Sequence, residues 1–234
     1  MKKIMKYSGI SFLAVVLLLI GMWKLMNART FQLFGGITEK VETGQKVVAL
    51  TFDDGPAKNV DEILSLLEQY KAKATFFLIG RDIEKNLDEA KKIAAAGHQI
   101  GNHTYSHRRM VFKSLSYIKD EIEKTDNLIR KAGYEGEIDF RPPYGKKLAG
   151  LPYYLNKHGR DTIMWNIEPD TSYTSSEDKI NDVMKRVKPG SIILLHPMYD
   201  HSGEALRTIE GILQSLSKEG FQFVTVNELQ QLEK

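Results

Sequence analysis

Four short polar segments, each directly after an apolar run, constrain the fold of this 234-residue chain more tightly than any other feature. The apolar runs have the length and composition of buried β-strands. Because each segment begins where a predicted strand ends, we expect all four on one rim of one fold. That rim would carry two adjacent carboxylates, two histidines, an arginine and a further histidine. The segments are Thr51–Pro56, His103–His107, Arg141–Gly145 and Leu194–His196.

Seven predicted strands alternate with predicted helices, which is the pattern of a parallel α/β fold. Periodicity alone does not separate a barrel from an open sheet. The polar segments follow the first, third, fourth and sixth strands, which favours a barrel, because an open sheet would gather them at one switch point. The predicted strands are Val47–Phe52, Ala74–Ile79, His98–Gly101, Ile138–Phe140, Thr162–Asn166, Ser191–Leu195 and Phe221–Val226. The predicted helices are 60–70 with a capping box of Asn59 and Glu62, a segment ending near 96, 116–132, 176–187, 203–218 and a terminal helix capped by Asn227.

The composition excludes several classes of protein. The chain has no cysteine, so disulfide bonds and thiolate metal sites are excluded. Its formal charge of +3 comes from the N-terminus, where five basic residues and no acidic ones precede residue 30. The rest of the chain has 28 basic and 30 acidic residues. A nucleic-acid-binding domain carries its basic charge on the folded part, so we expect no nucleic-acid partner.

The N-terminus has the features of a membrane-targeting segment. Lys2, Lys3 and Lys6 precede a run of apolar and small residues over 8–23, somewhat shorter than the ~20 residues of a transmembrane helix. Lysines on that side predict the N-terminus inside the cell and the rest of the chain outside. We therefore predict a signal-anchor over 1–27, a linker over 28–45 and a folded domain over 46–234. The alternative is a secreted protein, cleaved after Ala28, and it is less favoured because Met26 suits position −3 poorly.

Taken singly, the polar residues have ordinary structural explanations. Aspartates before Gly-Pro suit a turn, and two histidines four residues apart are common on surfaces and in cores. A strand-end arginine is often only a surface charge, but a buried Arg141 would hold a carboxylate by a bidentate pair and lower its pKa. The histidines assigned to loops or the surface are His98, His158 and His201.

Taken together, the residues indicate a catalytic metal site. Asp54, His103 and His107 supply three nitrogen and oxygen ligands and leave a position open, as catalytic zinc requires. Adjacent side chains on an extended chain point in different directions, so Asp53 can face the substrate. Asp53 would take a proton from water, whose pKa a bound ion can lower to ~7. His196 would donate a proton to the leaving group.

The four segments resemble the motifs of the polysaccharide deacetylase family, also called the NodB-homology domain or carbohydrate esterase family 4. The first three match fully, Leu194-Leu195-His196 matches the Leu-x-His motif, and the resemblance covers about residues 45–230. It implies a distorted seven-stranded (β/α) barrel and a metal-dependent hydrolase of acetylated glycans, with the catalytic domain over 46–234. By position it implies that Asp53 is the general base, oriented by Arg141, and that His196 is the general acid. It implies that the metal ligands are Asp54, His103 and His107. It also implies that the Tyr144 N–H binds the oxyanion and that Leu194 lines an acetyl pocket.

One motif departs from the family pattern. The family has an aspartate and then a tryptophan after the fifth strand, and that aspartate tunes the acid histidine. Here the segment runs from Trp165 to Tyr173, and Glu168 lies nearest the aspartate position, with Asp170 as its rival. Tyr173 is predicted to replace the aromatic wall of the substrate site.

The expected activity is removal of N-acetyl groups from N-acetylglucosamine residues of a cell-wall polysaccharide. Peptidoglycan is favoured because a membrane anchor would hold the enzyme beside the wall. Zinc suits a His₂Asp site, and cobalt, nickel and manganese are geometrically possible. We expect a monomer on the outer side of the membrane. The alternatives are a chitin-oligomer deacetylase, an O-acetyl xylan esterase and a non-catalytic glycan-binding protein on the same fold.

Overall fold

A computed structural model describes residues 2–232, with side chains from residue 11 onward. Within that range the chain is an α/β fold in which every pairing between strands is parallel. The strands are β1 (Ile37–Thr38), β2 (Val47–Asp53), β3 (Ala74–Leu78), β4 (Gln99–Asn102), β5 (Thr162–Ile163), β6 (Ile192–Leu195) and β7 (Gln222–Phe223). The α-helices are α1 (Lys2–Asn27), α2 (Val60–Gln69), α3 (Gly80–Lys85), α4 (Leu87–Ala95), α5 (Leu115–Lys131), α6 (Gly150–Lys157), α7 (Ser176–Arg186), α8 (Glu204–Lys218) and α9 (Val226–Gln230).

The larger sheet has the strand order β4-β3-β2-β6, and β7 also pairs with β2. A second sheet pairs β1 with β5. Single parallel bridges extend these pairings, from Asn102 to Phe140, from Phe140 to Thr162 and from Ile167 to Ile193. Since the strands are parallel, the segments that follow β2, β4, Phe140 and β6 emerge at the same end of the fold. Those are the four polar segments.

Alternation along β2 explains which side chains reach the site. Val48, Leu50 and Phe52 pack in a large apolar cluster with helices α2, α4 and α8. The intervening residues face the opposite side of the strand, where Ala49 packs in a second cluster with Trp165. Thr51 and Asp53 continue that second row. The period of two therefore carries Asp53 to the inner side of the fold, away from the helices.

Several predicted elements differ from the structure. The predicted strand at 138–140 is wrong, because only Phe140 makes a bridge there. The predicted strands starting at Thr162 and Phe221 end early, at Ile163 and Phe223. The prediction lacked α6 and gave α3 and α4 as one helix, and the strand β1 lies within the segment predicted to be a linker.

Two predicted helix caps are also wrong. Asn59 forms no side-chain cap at α2. Its Nδ2 donates to the Pro197 carbonyl at 2.8 Å, and its Oδ1, the atom that would accept from the helix, has no hydrogen-bond partner among the described residues. The terminal helix α9 is capped by Thr225 rather than Asn227, and Thr225 and Glu228 form a full capping box there.

Among the described residues, no helix combines the length and the apolar character needed to cross a membrane. The lysines predicted to flank the anchor, Lys2, Lys3 and Lys6, lie outside the described side chains, as does the start of the apolar run. The predicted signal-anchor stays a prediction.

Candidate active site

Asp53 is held at the end of β2 by a buried arginine. Arg141, which is 0% exposed, donates from Nη1 to Asp53 Oδ1 at 2.7 Å. The same nitrogen donates to Thr51 Oγ1 at 2.8 Å, and Nη2 donates to the Met164 carbonyl at 3.0 Å. The predicted bidentate pair is therefore wrong, because the second arm of the guanidinium bonds to backbone. Asp53 keeps Oδ2 free of the arginine.

The surroundings of Asp53 keep it ionised. Burial alone raises the pKa of a carboxyl group, but the positive charge of Arg141, with further contributions from His103 and His196, outweighs burial and lowers the pKa of Asp53 below its ordinary value. Its Oδ2 lies 3.6 Å from His103 Nε2. Asp53 is thus a fixed, charged proton acceptor at the edge of the histidine pair.

Asp54, His103 and His107 converge as predicted. One potential ligand atom from each lies within 4.8 Å of the other two. Asp54 Oδ1 is 3.3 Å from His107 Nε2 and 3.9 Å from His103 Nε2. This oxygen is buried and has no hydrogen-bond partner among the described residues. A buried, unpaired carboxylate oxygen facing two imidazoles is the donor set that a divalent ion needs.

The hydrogen bonds of the two imidazoles leave the right nitrogen atoms for a metal ion. His103 Nδ1 lies 2.7 Å from the Arg141 carbonyl, an acceptor only, so Nδ1 donates a hydrogen there and Nε2 is the nitrogen left to bind an ion. Burial and the neighbouring His103 lower the pKa of His107, which favours its neutral form. These residues therefore fit a divalent ion.

The loops at the site are strained. A left-handed backbone costs a non-glycine residue about 1–3 kcal/mol, so such residues persist only where the surroundings impose them. Six non-glycine residues of the described range have positive φ, and four of them lie in the first three polar segments. They are Asp54 (74°), Thr104 (66°), His107 (56°) and Tyr144 (59°).

His196 also lines the cavity, and it is hydrogen-bonded to Asp170. Asp170 Oδ2 accepts from the His196 backbone N–H at 2.8 Å and lies 3.3 Å from Nδ1, while Asp170 Oδ1 pairs with Lys179 at 2.8 Å. Burial lowers the pKa of His196, but the Asp170 hydrogen bond and the charges of Asp53 and Asp54 together raise it to about 9. His196 is therefore a cation at neutral pH and can donate a proton.

Glu168 does not take the role predicted for it. Its Oε2 accepts from Trp165 Nε1 at 2.8 Å and from Arg29 Nη2 at 3.1 Å, so the structure brings Asp170, and not Glu168, to His196. The reason is local. The Pro169 carbonyl accepts from the N–H groups of Ser172 and Tyr173, and the resulting turn changes the direction of the chain between the two acids.

Of the three predicted substrate-binding residues, one lines the cavity of the site and two do not. A cavity of about 390 Å³ is lined by Arg29, Asp53, Asp54, His103, His107, Tyr144, Trp165, Glu168, Thr171 and His196. Tyr144 lines it as predicted. Tyr173 does not, and Trp165 supplies the aromatic wall. The prediction that Leu194 lines the acetyl pocket is not confirmed: Leu194 is not among the residues that line the cavity, is 1% exposed and packs in the apolar cluster with Trp165.

Two further residues depart from expectation. Arg29 was not predicted for the site at all. His98, predicted on a loop or the surface, is buried: its Nδ1 accepts from the Ala74 N–H at 3.3 Å, and burial, with the nearby Lys73, lowers its pKa to about 4. It is a neutral core histidine outside the site.

An ionised aspartate, a candidate metal centre and a protonated histidine around one cavity are the parts of a hydrolase. Comparison with known proteins gives the family. A family model described as polysaccharide deacetylase matches residues 40–163. A peptidoglycan-N-acetylglucosamine deacetylase of Bacillus cereus is 36% identical over 203 residues, which is 83% of this chain and 93% of that protein. The chain belongs to the polysaccharide deacetylase family, a family of hydrolases, as the four segments indicate.

Solved structures agree with this assignment. A peptidoglycan N-acetylglucosamine deacetylase matches with a TM-score of 0.77 and 32% identity, over 84% of this chain and 94% of that one. A CE4 family pseudoenzyme from Bacillus anthracis matches with a TM-score of 0.76 and 28% identity, over 86% of this chain and 70% of that one. The fold is thus the α/β fold of this family. Because one similar structure is of a pseudoenzyme, catalysis by this chain has to be argued from its own residues.

Proposed function

We propose that this chain is a metal-dependent N-deacetylase that acts on N-acetylglucosamine residues of a cell-wall polysaccharide, with peptidoglycan as the substrate. One observation carries the proposal: Asp53, the Asp54-His103-His107 cluster and His196 all line one cavity. A non-catalytic glycan-binding protein has no physical need for an ionised base and a protonated histidine in a single cleft.

The division of work follows from the geometry. A divalent ion, zinc by the donor set, would be held by Asp54, His103 and His107 and would supply Lewis acidity toward water and the acetamide carbonyl. Asp53 accepts the proton of the attacking water through Oδ2, since Oδ1 is bonded to Arg141. Arg141 keeps that carboxylate charged and fixed in direction.

His196 completes the hydrolysis as the general acid. Its pKa is raised to about 9, which favours the protonated ring at neutral pH, and it lines the same cavity as the histidine pair, so it donates a proton to the departing amine. Asp170 fixes the ring orientation. The backbone N–H of Tyr144, in a left-handed turn at the cavity wall, is proposed to bind the developing oxyanion. Acetate and a free amino sugar result.

The cellular setting is part of the proposal. The basic and apolar N-terminus supports a single-pass signal-anchor with the catalytic domain outside the cell, and the alternative is a secreted protein. The domain is proposed to be a monomer and a distorted seven-stranded (β/α) barrel. The Bacillus cereus relative, described as a peptidoglycan-N-acetylglucosamine deacetylase, supports peptidoglycan over other acetylated glycans.

The test is acetate release by the full-length chain, purified in mild detergent, after loading with zinc. We expect release from peptidoglycan fragments and N-acetylated chitin oligomers, abolished by a chelator and restored by zinc. Mass spectrometry of defined muropeptides then identifies which sugar loses its acetyl group. Release only from O-acetylated xylan would instead indicate an esterase. Binding of glycan without any acetate release, with or without zinc, would indicate a non-catalytic protein and overturn the proposal.

A further inference from the structure

The end of helix α1 is held against the loop that follows the third polar segment. A helix leaves its last carbonyl groups without partners and carries partial negative charge at its C-terminal end. Two lysines of the loop bring positive charge to this end: Lys146 Nζ donates to the side-chain oxygen Oδ1 of Asn27, and Lys147 Nζ donates to the carbonyl of Ala28, the residue after the helix. The Lys147 backbone N–H also donates to the Met26 carbonyl at 3.4 Å.

Lys147 shows that this contact is integral to the fold. It is 1% exposed, and burying a charged group is costly unless the group is paired or hydrogen-bonded. Within the described part of the chain, the Ala28 carbonyl is the hydrogen-bond partner of its Nζ. Without residues 26–28 in place the ammonium group would lose that partner. The segment that follows α1 is therefore anchored beside the site.

This anchored segment delivers Arg29 to the cavity. The guanidinium carbon lies 4.7 Å from the centre of the Trp165 ring, and Nη2 lies 3.1 Å from Glu168 Oε2. Trp165 Nε1 donates to the same oxygen at 2.8 Å. Stacking on an indole and pairing with a carboxylate fix the plane of the guanidinium. The side chain remains 44% exposed and is one of the residues that line the cavity.

The chemistry of this wall suits a sugar ring. A guanidinium has five N–H donors in a rigid fork, and one nitrogen is used here for Glu168. Within the described part of the chain, the remaining guanidinium donors and Oε1 of Glu168 have no hydrogen-bond partner, so they offer donors and an acceptor beside an aromatic face. Hydroxyl and acetamido groups of a pyranose need that mixture. Resting on the proposed function, we infer that Arg29, held on Trp165 by Glu168, is a substrate-binding residue that recognises the sugar units of the glycan.

The test separates recognition of the sugar from the hydrolytic chemistry. Wild type, Arg29→Gln and Arg29→Lys are compared as full-length, zinc-loaded proteins, on an N-acetylated chitin oligomer and on 4-nitrophenyl acetate, an ester without a sugar. Loss of a hydrogen bond to a charged group is expected to raise the KM of Arg29→Gln for the oligomer about tenfold. The kcat for the oligomer and the kcat/KM for the ester should stay near wild type. Arg29→Lys keeps the charge and should be intermediate.

Arg186→Gln is the matched control. Arg186 has a similar exposure, 43%, and a similar single carboxylate partner, Asp182 at 2.9 Å, but it lies outside the cavity. This variant should keep wild-type values on both substrates. Three outcomes would overturn the inference: unchanged kinetics of Arg29→Gln on the oligomer, an equal loss on both substrates, or increased activity, which would indicate an occluding residue. If the wild type releases no acetate from any glycan, the proposed function itself fails, whatever Arg29 does.

Discussion

At the scale of single residues, the pair formed by Asp53 and Arg141 decides the chemistry. A buried carboxylate would ordinarily be protonated, and a buried guanidinium would ordinarily be destabilising. Here each charge stabilises the other. The lowered pKa of Asp53 results from a contact with Arg141, which lies 88 positions away in the sequence. The base is thus charged because the fold brings a distant arginine to it.

Replacing Asp53 by Asn tests this role. The amide cannot accept the proton of water, so acetate release should fall by about 10²- to 10⁴-fold. The uncompensated charge of Arg141 should also lower the free energy of unfolding by about 3 kcal/mol, measured by urea denaturation. Asp88→Asn, which removes an exposed carboxylate paired with Lys91, should leave both quantities near wild type. Full activity in Asp53→Asn would show that another group is the base.

The pH dependence of kcat tests whether Asp170 or Glu168 sets the pKa of His196. His196 works as an acid while it is protonated, so activity is lost as the pH rises through its pKa. Asp170 helps to raise that pKa to about 9. In Asp170→Asn the pKa falls, and the alkaline limb of the profile should move to lower pH. Glu168→Gln should leave the limb in place, since Glu168 bonds to Trp165 and Arg29. A shift in Glu168→Gln alone would reverse this assignment.

At the scale of elements, the capping box at the start of helix α9 lies outside the site, so changing it tests stability without changing the catalytic residues. Thr225 accepts from the Glu228 N–H, and Glu228 reaches back to the Thr225 N–H at 2.8 Å. Thr225→Ala removes one half of this capping box and should cost about 1 kcal/mol, read from chemical denaturation, with the site intact. Gln231→Ala, an exposed change at the end of the same helix, should cost much less. Equal costs for the two variants would argue against the cap.

Some elements of the fold could be predicted from the sequence, and contacts between distant residues could not. Strands β2, β3, β4 and β6 and the long helices α5 and α8 were predicted near their observed positions, because their apolar pattern is set by burial along the element itself. The absence of the predicted cap at Asn59 could not be foreseen, since its side-chain amide donates to Pro197, 138 residues away. Arg29 had no local signal for the same reason, as Glu168 is 139 residues away. The three candidate metal ligands were predictable because their motifs are contiguous in sequence.

At the scale of the whole molecule, a bound ion should stabilise the fold by linking the segments after β2 and β4. An ion that binds only the folded state stabilises by about 2.7 kcal/mol at 100 times its dissociation constant. We therefore expect zinc to raise the melting temperature of the chelated protein. His103→Ala should lose that increase, whereas His201→Ala, in an exposed loop, should keep it. A zinc-dependent increase that survives in His103→Ala would place the ion elsewhere.

The most direct measurement of the central claim is an anomalous diffraction map, collected at the zinc edge from crystals of the zinc-loaded protein. We predict one strong peak at about 2.0–2.2 Å from Asp54 Oδ1, His103 Nε2 and His107 Nε2, with Asp53 and His196 on either side of it. No peak at this position, in crystals that show zinc at other sites, would contradict the account.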